Sequence, residues 1–386
     1  VVFKMKAVNA AMIEHFASPW NCIYAAKDLA ADPNSPKTKI NGTGPFTFVE
    51  HVKGSHVAGK RNDGYFKAGL PYLDGFRGVF MLQAAAMLNA LQGGQVLAEF
   101  RGISPAERDR LVQAMGDKIR IEESSWTLNL LIAFNVEKKP FDDVRVRRAL
   151  NMAVNKKEIV SSFYNGNAEL FAYPMHPDYI GYFEKLEEMP DSVKELFTYN
   201  PDKAKALLKE AGYPNGFSFK VQVCSCSPDH MDLLPLVAAY LEQVGVKIEI
   251  QPMEYGAFLS AMTTKTNAPG YFMRNGHTNP TTSIRKSFVS KQTWNPSQYS
   301  DPEYDKRMAA VYLERDEDKR KSELKAMTRE IVDKAPYIWL PTPYFYTAWW
   351  PWVKNYGGEL RVGSERPGPI HARIWVDQDL KKKLGY

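Results

Sequence analysis

The stretch YNPDKAKALLKEAGYPNGFSFKVQV, residues 199–223, predicts a capped helix followed by a strand. Asn200 can cap a helix, and Pro201 stands at the first helical position, where a missing backbone N–H costs nothing. Apolar residues then recur every three or four positions, as on one buried helical face. Gly212 ends the helix. From Phe217 onward apolar and polar residues alternate, which is the period of a strand.

The following residues continue this pattern with a second helix and a second strand. Apolar residues between 233 and 241 form the buried side of the helix, and Gly245 marks its end. Val246, Ile248 and Ile250 form the next strand. A strand, a helix and a strand within about 35 residues form a right-handed crossover between parallel strands. Because this unit carries almost no chemically reactive side chains, we predict that it is scaffold and that function lies in the loops at its strand ends.

Length, composition and charge exclude several classes of protein. The 386 residues are 44% hydrophobic and 24% charged, which is enough for a large core and two domains. No apolar run approaches the roughly 20 residues that span a bilayer. The net charge of +6 is spread along the chain, so nucleic acid is not expected as a partner. The three cysteines make no disulfide framework.

Five segments have the order and spacing of motifs of one family. They are NGTGPF (41–46), FNVEKKPFDDVRVRRALNMAVNKKEIV (134–160), YNPDKAKALLKEAGYPNGF (199–217), YSDPEYDKRM (299–308) and APYIWLPTPYF (335–345). Together they resemble the solute-binding proteins of ABC importers of the peptide, nickel and opine type, extracellular family 5. The resemblance covers essentially the whole chain.

The resemblance implies an α/β fold with two lobes, the type II periplasmic-binding-protein fold of the large cluster C type. The first lobe is expected to be discontinuous, formed by residues 1–135 and 340–386, and the second to be an α/β lobe formed by 136–339. The first twenty residues resemble a stretch well inside a typical family member. The chain is therefore expected to be N-terminally incomplete, without part of the first lobe and any signal peptide.

The implied function is capture of a small organic solute, a peptide or a sugar- or opine-like compound, between two lobes that close about a hinge. The expected partners are the solute and, transiently, the transmembrane subunits of an ABC permease. The protein is expected to be a monomer without enzymatic activity or cofactor, at the periplasmic or extracellular face of the bacterial inner membrane. Two alternatives stay open: a hydrolase that uses the region from Cys224 to His230, and a non-transporting periplasmic chaperone or scaffold.

The loop 271–288 is the most informative candidate for solute contact. In peptide-binding members this neighbourhood commonly supplies an aspartate for the peptide ammonium group, but here no Asp or Glu occurs between Glu254 and Asp301. The cations and amides of the loop favour hydroxyl-rich or anionic solutes. A second long loop, residues 164–190, is rich in aromatic residues and could form a wall of the pocket. We call it the aromatic loop. The predicted solute-binding residues are Trp126, Tyr173, Met175, Cys226, Arg274, Asn275, His277, Asn279 and Thr281.

A metal or catalytic reading of the cysteines is weaker. Cys224, Cys226 and His230 carry donor atoms that suit a soft metal, but their spacing matches no familiar zinc site and a fourth ligand is not evident. No general base with an orienting partner can be chosen from seven scattered histidines. We therefore predict no metal site and no catalytic residue, so a chelator should leave the melting temperature unchanged.

Overall fold

The fold is described from a computed structural model, which covers residues 2–10, 12–16, 21–81, 83–124, 129–276, 279–359 and 370–386. The chain divides into two compact units. One unit consists of Val1–Ile13 and Trp126–Pro343, and the other of Glu14–Ser125 and Tyr344–Tyr386. In the part of the chain that the structure describes, no helix is long and apolar enough to cross a membrane.

The strands and α-helices are numbered along the chain. The strands are β1 (Phe46–Val52), β2 (His56–Arg61), β3 (Gly75–Val79), β4 (Ala98–Ile103), β5 (Arg120–Ser124), β6 (Asn129–Phe134), β7 (Ala168–Glu169), β8 (Phe217–Cys224), β9 (Val246–Met253), β10 (Gly270–Asn275), β11 (Tyr337–Trp339), β12 (Thr342–Pro343), β13 (Phe345–Trp349), β14 (Val353–Lys354) and β15 (Trp375–Val376). The helices are α1 (Met12–Phe16), α2 (Ala26–Ala31), α3 (Ala84–Gln92), α4 (Pro105–Met115), α5 (Val144–Ala153), α6 (Lys156–Glu158), α7 (Asp191–Glu195), α8 (Pro201–Glu210), α9 (Pro228–Glu242), α10 (Tyr255–Thr263), α11 (Pro280–Phe288), α12 (Pro302–Leu313), α13 (Glu317–Asp333) and α14 (Gln378–Lys383).

The unit that contains the quoted stretch is built on a five-stranded sheet with the order β11-β6-β10-β8-β9. Strands β8 and β9 are parallel, from Phe217 opposite Val246 to Cys224 opposite Met253, and α9 connects them. The predicted strand–helix–strand unit is therefore confirmed. The predicted cap of α8 is also present, since the Asn200 side chain accepts a hydrogen bond from the Lys203 backbone N–H.

Strand β6 lies between β10 and β11 and is antiparallel to both. All six of its residues are buried, as expected of a mostly apolar strand covered on both faces. The two compact units divide before this strand, whereas the sequence placed their boundary after it, at residue 135. The physical reason is that the sheet to which a strand belongs is set by its hydrogen-bonded partners. The partners of β6 lie far along the chain, where no local pattern reveals them.

Helices cover both faces of this sheet. We call the side packed by α5, α8 and α9 the α9 face; its core includes Ile132 of β6, Val221 of β8 and Phe272 of β10. The side packed by α10, α11, α12 and α13 is the α11 face, and its core includes Tyr271 and Met273 of β10. Because successive residues of a strand point to opposite faces, β10 contributes to both cores in turn. Each fully buried side chain of this size stabilises the fold by roughly 1.5–3 kcal/mol.

The other unit contains a three-stranded antiparallel sheet in the order β1-β2-β3 and a second sheet in the order β4-β13-β5. Its core includes Trp350 and Trp352, whose rings stack with centroids 4.2 Å apart. The indole N–H of Trp350 donates to the carbonyl of Leu91 at the end of α3, 2.8 Å away. Helix α4 begins with the capping box that Ser104 and Glu107 predict.

Candidate functional site

Polar residues gather where three parallel strands end. Strands β8, β9 and β10 run in the same direction, so their carboxyl ends, at Cys224, Met253 and Asn275, lie at one edge of the sheet. The antiparallel strand β6 begins at this edge with Asn129, whose side-chain oxygen accepts a hydrogen bond from the Thr342 hydroxyl at 2.8 Å. We call this the carboxyl edge. In open α/β sheets, ligands bind just beyond the carboxyl ends of the parallel strands.

On the α9 face the carboxyl edge carries an ion pair. A terminal guanidinium nitrogen of Arg274, at the end of β10, donates to the carboxylate of Asp229, in the first turn of α9. Their side chains are 23% and 35% exposed, so the pair is open to solvent on one side. The loop 271–288 contains no acid of its own, but the fold supplies one to Arg274. The acid comes from 45 positions away in the sequence, because β8 and β10 end side by side.

Two buried side chains next to this pair have unpaired polar atoms. The His230 ring stacks on Phe272 with centroids 4.7 Å apart and is 3% exposed. Among the described residues, neither of its ring nitrogens has a hydrogen-bond partner, and neither has the hydroxyl of Tyr164, which is 8% exposed. Burial lowers the pKa of His230 to about 4; Asp229 opposes this shift and Arg274 adds to it. Burial also raises the pKa of Tyr164, and Asp229 adds to that shift.

His230 and Tyr164 are therefore both neutral near pH 7, and each can both donate and accept a hydrogen bond. Polar atoms that are buried without a partner are costly, and native structures usually pair them with protein, water or ligand. Among the described residues, the α9 side of the carboxyl edge thus presents the anion Asp229, the cation Arg274 and the neutral polar groups of His230 and Tyr164. This set suits a small solute with several polar groups. Asp229 and Tyr164 are not among the solute-binding residues predicted from the sequence.

On the α11 face the predicted residues have internal roles. Asn275 is 1% exposed, its amide nitrogen donates to the Ser287 hydroxyl at 3.2 Å, and its oxygen accepts from the Gly276 N–H at 3.0 Å. Asn279 is the N-cap of α11, and its side chain accepts from the Thr282 N–H at 2.8 Å. Thr281, in the first turn of that helix, is buried. These positions hold polar residues because the unpaired backbone groups at the start of a helix and at the end of a strand need hydrogen-bond partners.

The aromatic loop before α7 also belongs to the core of the α11 face. Tyr173 and Met175 are both buried in its cluster. The Tyr173 ring packs against Phe288 and Trp339, with centroids 6.0 and 5.9 Å apart. The prediction that this loop walls a pocket is not supported at these two residues. An irregular segment has no periodicity, so its sequence does not indicate which side chains point inward.

Cys224 and Cys226 form a disulfide with their Cα atoms 5.1 Å apart, a single local bridge that the cysteine count did not predict. In this state Cys226 offers no thiol to a solute, and Cys224 is neither a nucleophile nor a metal ligand. The hydrolase alternative therefore loses its nucleophile. Among the residues that the structure describes, no three His, Cys, Asp or Glu side chains are grouped to hold a metal ion. The predicted contacts Trp126 and His277 lie outside the described residues.

The family model of the bacterial extracellular solute-binding proteins, family 5 (middle region), matches residues 1–296 of the chain. The chain belongs to this family. Among curated family 5 relatives, it is 30% identical over 317 residues to the glutathione-binding protein GsiB of Pectobacterium atrosepticum, covering 80% of the chain and 59% of that protein. It is 29% identical over 345 residues to a dipeptide-binding protein of Pseudomonas aeruginosa, covering 86% of the chain and 62% of that protein. The chain thus spans less than two thirds of the length of these relatives.

Two solved structures resemble the whole fold of this family 5 chain. One is the periplasmic binding protein DppA of Helicobacter pylori in complex with the peptide STSA: TM-score 0.82, 23% identity, 97% of this chain and 72% of that one covered. The other is AgaA of A. tumefaciens R10 in complex with agropinic acid: TM-score 0.82, 21% identity, 97% and 75% covered. The predicted α/β, two-lobed periplasmic-binding-protein fold of type II is confirmed.

Proposed function

We propose that this chain is the substrate-binding part of an ABC importer. It captures a small organic solute at the carboxyl edge and delivers it to the permease, as a monomer at the periplasmic or extracellular face of the membrane. The observation that carries the proposal is the α9 side of the edge. There a family 5 fold presents a partly open ion pair and buried polar atoms that have no partner among the described residues, at the place where α/β sheets bind ligands.

The charges of the edge favour a solute that carries both a carboxylate and an amine. Arg274 can hold a carboxylate through two parallel N–H groups, and Asp229 can accept from an ammonium group. A solute with both charges replaces one ion pair by two, so Arg274 and Asp229 each keep a counter-ion. Short peptides and opines share this chemistry, whereas a neutral sugar does not. Relatives named for glutathione and dipeptides are consistent with it.

We also propose that the protein has no enzymatic activity. The hydrolase alternative needs a nucleophile and a base, but Cys224 is bonded to Cys226 and the ring nitrogens of His230 have no partner among the described residues. A neutral histidine whose pKa is held at about 4 by burial is also a weak base near pH 7.

Native mass spectrometry of the full-length protein, purified from its host without unfolding, tests the proposal. We expect a co-purified small molecule that has both an amine and a carboxylate and that is released unchanged when the protein is denatured. Adding the molecule back should raise the melting temperature in a concentration-dependent way. Release of a chemically altered product would support an enzyme instead. The solute-binding function would be contradicted if the protein were purified without a bound small molecule and if short peptides and opines did not raise its melting temperature.

A further inference from the structure

The Cys224–Cys226 disulfide joins a buried sulfur to an exposed one. Cys224 is the last residue of β8 and is buried, whereas Cys226 is exposed and only Ser225 lies between them. The turn is fixed in place, because the backbone N–H and the hydroxyl of Ser225 both donate to the carbonyl of Met253, at 2.9 and 3.0 Å. A reagent that approaches from solvent therefore meets the sulfur of Cys226 and not that of Cys224.

The surroundings of the buried sulfur suit a negative charge. The backbone N–H of Cys226 points at the Cys224 sulfur, 3.2 Å away. The turn leads directly into α9, a 15-residue helix whose N-cap, Ser227, makes no side-chain capping bond. A backbone N–H group that points at a sulfur stabilises a thiolate there. Cys224 can therefore leave as a thiolate when the disulfide is attacked at Cys226.

We propose that Cys226 is a site of reversible modification by low-molecular-weight thiols. The thiolate of such a compound attacks the sulfur of Cys226 and forms a new S–S bond to it. The bond between Cys226 and Cys224 breaks, and its electron pair leaves on Cys224 as a thiolate. The Cys224 thiolate can then attack Cys226 and release the compound, or a second thiol can remove it as a symmetrical disulfide and leave both cysteines reduced.

This site lies at the carboxyl edge but goes beyond the proposed solute capture. The chemistry requires only the two cysteines and a thiol, so it can be measured whether or not the transported solute is known. Cys226 precedes the turn of α9 that carries Asp229, so an adduct there is attached close in sequence to one member of the ion pair. The modification would therefore make the entry to α9 respond to the thiol concentration around the protein.

The test uses the Cys22→Ser variant, which removes the exposed third cysteine. The folded, air-oxidised variant is incubated with reduced glutathione, quenched with a maleimide and mapped by peptide mass spectrometry. We expect one glutathionyl group on Cys226 with the maleimide on Cys224, and about tenfold less of the reverse pattern, because access decides which sulfur is attacked. S-methylglutathione, which cannot exchange, is the matched control and should give no adduct.

A pair of variants separates access from leaving-group effects. In the Cys22→Ser background, Cys224→Ser leaves the exposed sulfur and Cys226→Ser leaves the buried one. Treated with oxidised glutathione, the first should react about tenfold faster than the second. Three results would overturn the proposal: equal labelling of both cysteines, two free thiols in the air-oxidised protein, or no exchange under conditions that fully open the same disulfide in a synthetic peptide of residues 222–229.

Discussion

The two faces of the central sheet use polar residues in opposite ways at the carboxyl edge. On the α9 face, Arg274 and Asp229 form a pair that is partly open to solvent, beside buried groups whose polar atoms have no partner in the described part of the chain. On the α11 face, the next residue of the same strand, Asn275, is buried and hydrogen-bonded within the protein. One step along a strand crosses the sheet. Two neighbours in sequence can therefore serve binding and folding respectively.

This difference predicts which measurements respond to which substitutions. A polar group whose partners are all internal contributes to the free energy of unfolding, because its removal leaves those partners buried and unpaired. A group that is partly open to solvent should contribute mainly to solute affinity. Substitutions on the α11 face are thus expected to change stability, and those at the ion pair on the α9 face to change binding.

The largest effect is expected from Tyr173→Ala on the α11 face. Removing a buried aromatic ring that packs against Phe288 and Trp339 should lower the free energy of unfolding by about 4 kcal/mol, measured by urea denaturation. Tyr255→Ala, at an exposed tyrosine of the same unit, is the control and should stay within about 0.5 kcal/mol. If Tyr173→Ala kept its stability but lost solute binding, Tyr173 would be a solute-binding residue and the internal role assigned to it would be wrong.

A pH effect should distinguish the buried histidine of the α9 face. The pKa of His230 is lowered to about 4, below the value of about 6.5 expected in the unfolded chain. Between these values the unfolded state binds more protons, so stability falls as the pH drops from 6.5 to 4 and is fully retained above 6.5. The free energy of unfolding that is lost through His230 should approach about 3 kcal/mol at the low end of this pH range.

The measurement compares urea unfolding of the wild type and of His230→Phe at several pH values. The variant should lack this part of the pH dependence, so the difference in stability between the two proteins should change across the window. His51→Phe, at an exposed histidine, is the control and should follow the wild-type curve. Parallel curves for wild type and His230→Phe would mean that the ring is not held neutral by burial.

A smaller stability effect is expected from Asn275→Ala. The substitution removes the partner of the Ser287 hydroxyl and of the Gly276 N–H, so unfolding should become easier by about 2 kcal/mol. Asn215→Ala, at an exposed position, should change stability by less than about 0.5 kcal/mol. If Asn275→Ala weakened solute binding at unchanged stability, the internal role assigned to this residue would be wrong.

The smallest effect, and the one specific to binding, is expected from Arg274→Ala. Loss of a charged hydrogen bond should weaken solute binding by about 1.5 kcal/mol, roughly tenfold in Kd, in calorimetry with the co-purified solute. Stability should change by less than about 1 kcal/mol, because the pair with Asp229 is partly exposed. The exposed Arg315→Ala is the control and should leave affinity unchanged. If Arg274→Ala left the affinity unchanged, the ion pair would not be part of the solute site.

Sequence could predict what depends on local spacing. The start of α8 at Asn200, the parallel pair β8 and β9, and the buried run of β6 all follow from residues within one or two elements. The pairing of Arg274 with Asp229 could not be derived in this way, because it depends on β8 and β10 lying side by side.

The cysteines and the aromatic loop show a second limit. Two cysteines with one residue between them can form a disulfide only if the backbone of the turn brings their sulfurs together. Composition does not determine that backbone. The buried state of Tyr173 and Met175 depends on which way an irregular loop turns its side chains. The alternation of Arg274 and Asn275 across the sheet could have been inferred, but only once a strand had been predicted there.

The position of β6 has a consequence for how the chain is made. This strand is completed at Phe134, but its two neighbours, β10 and β11, begin roughly 140 and 200 residues later. At the usual rate of synthesis, on the order of ten seconds pass before even the first of them exists. Through that time both edges of an apolar strand remain open to pairing with other chains. We therefore expect the protection of this hexapeptide during synthesis, more than the strength of the finished sheet, to limit how much folded protein a cell obtains.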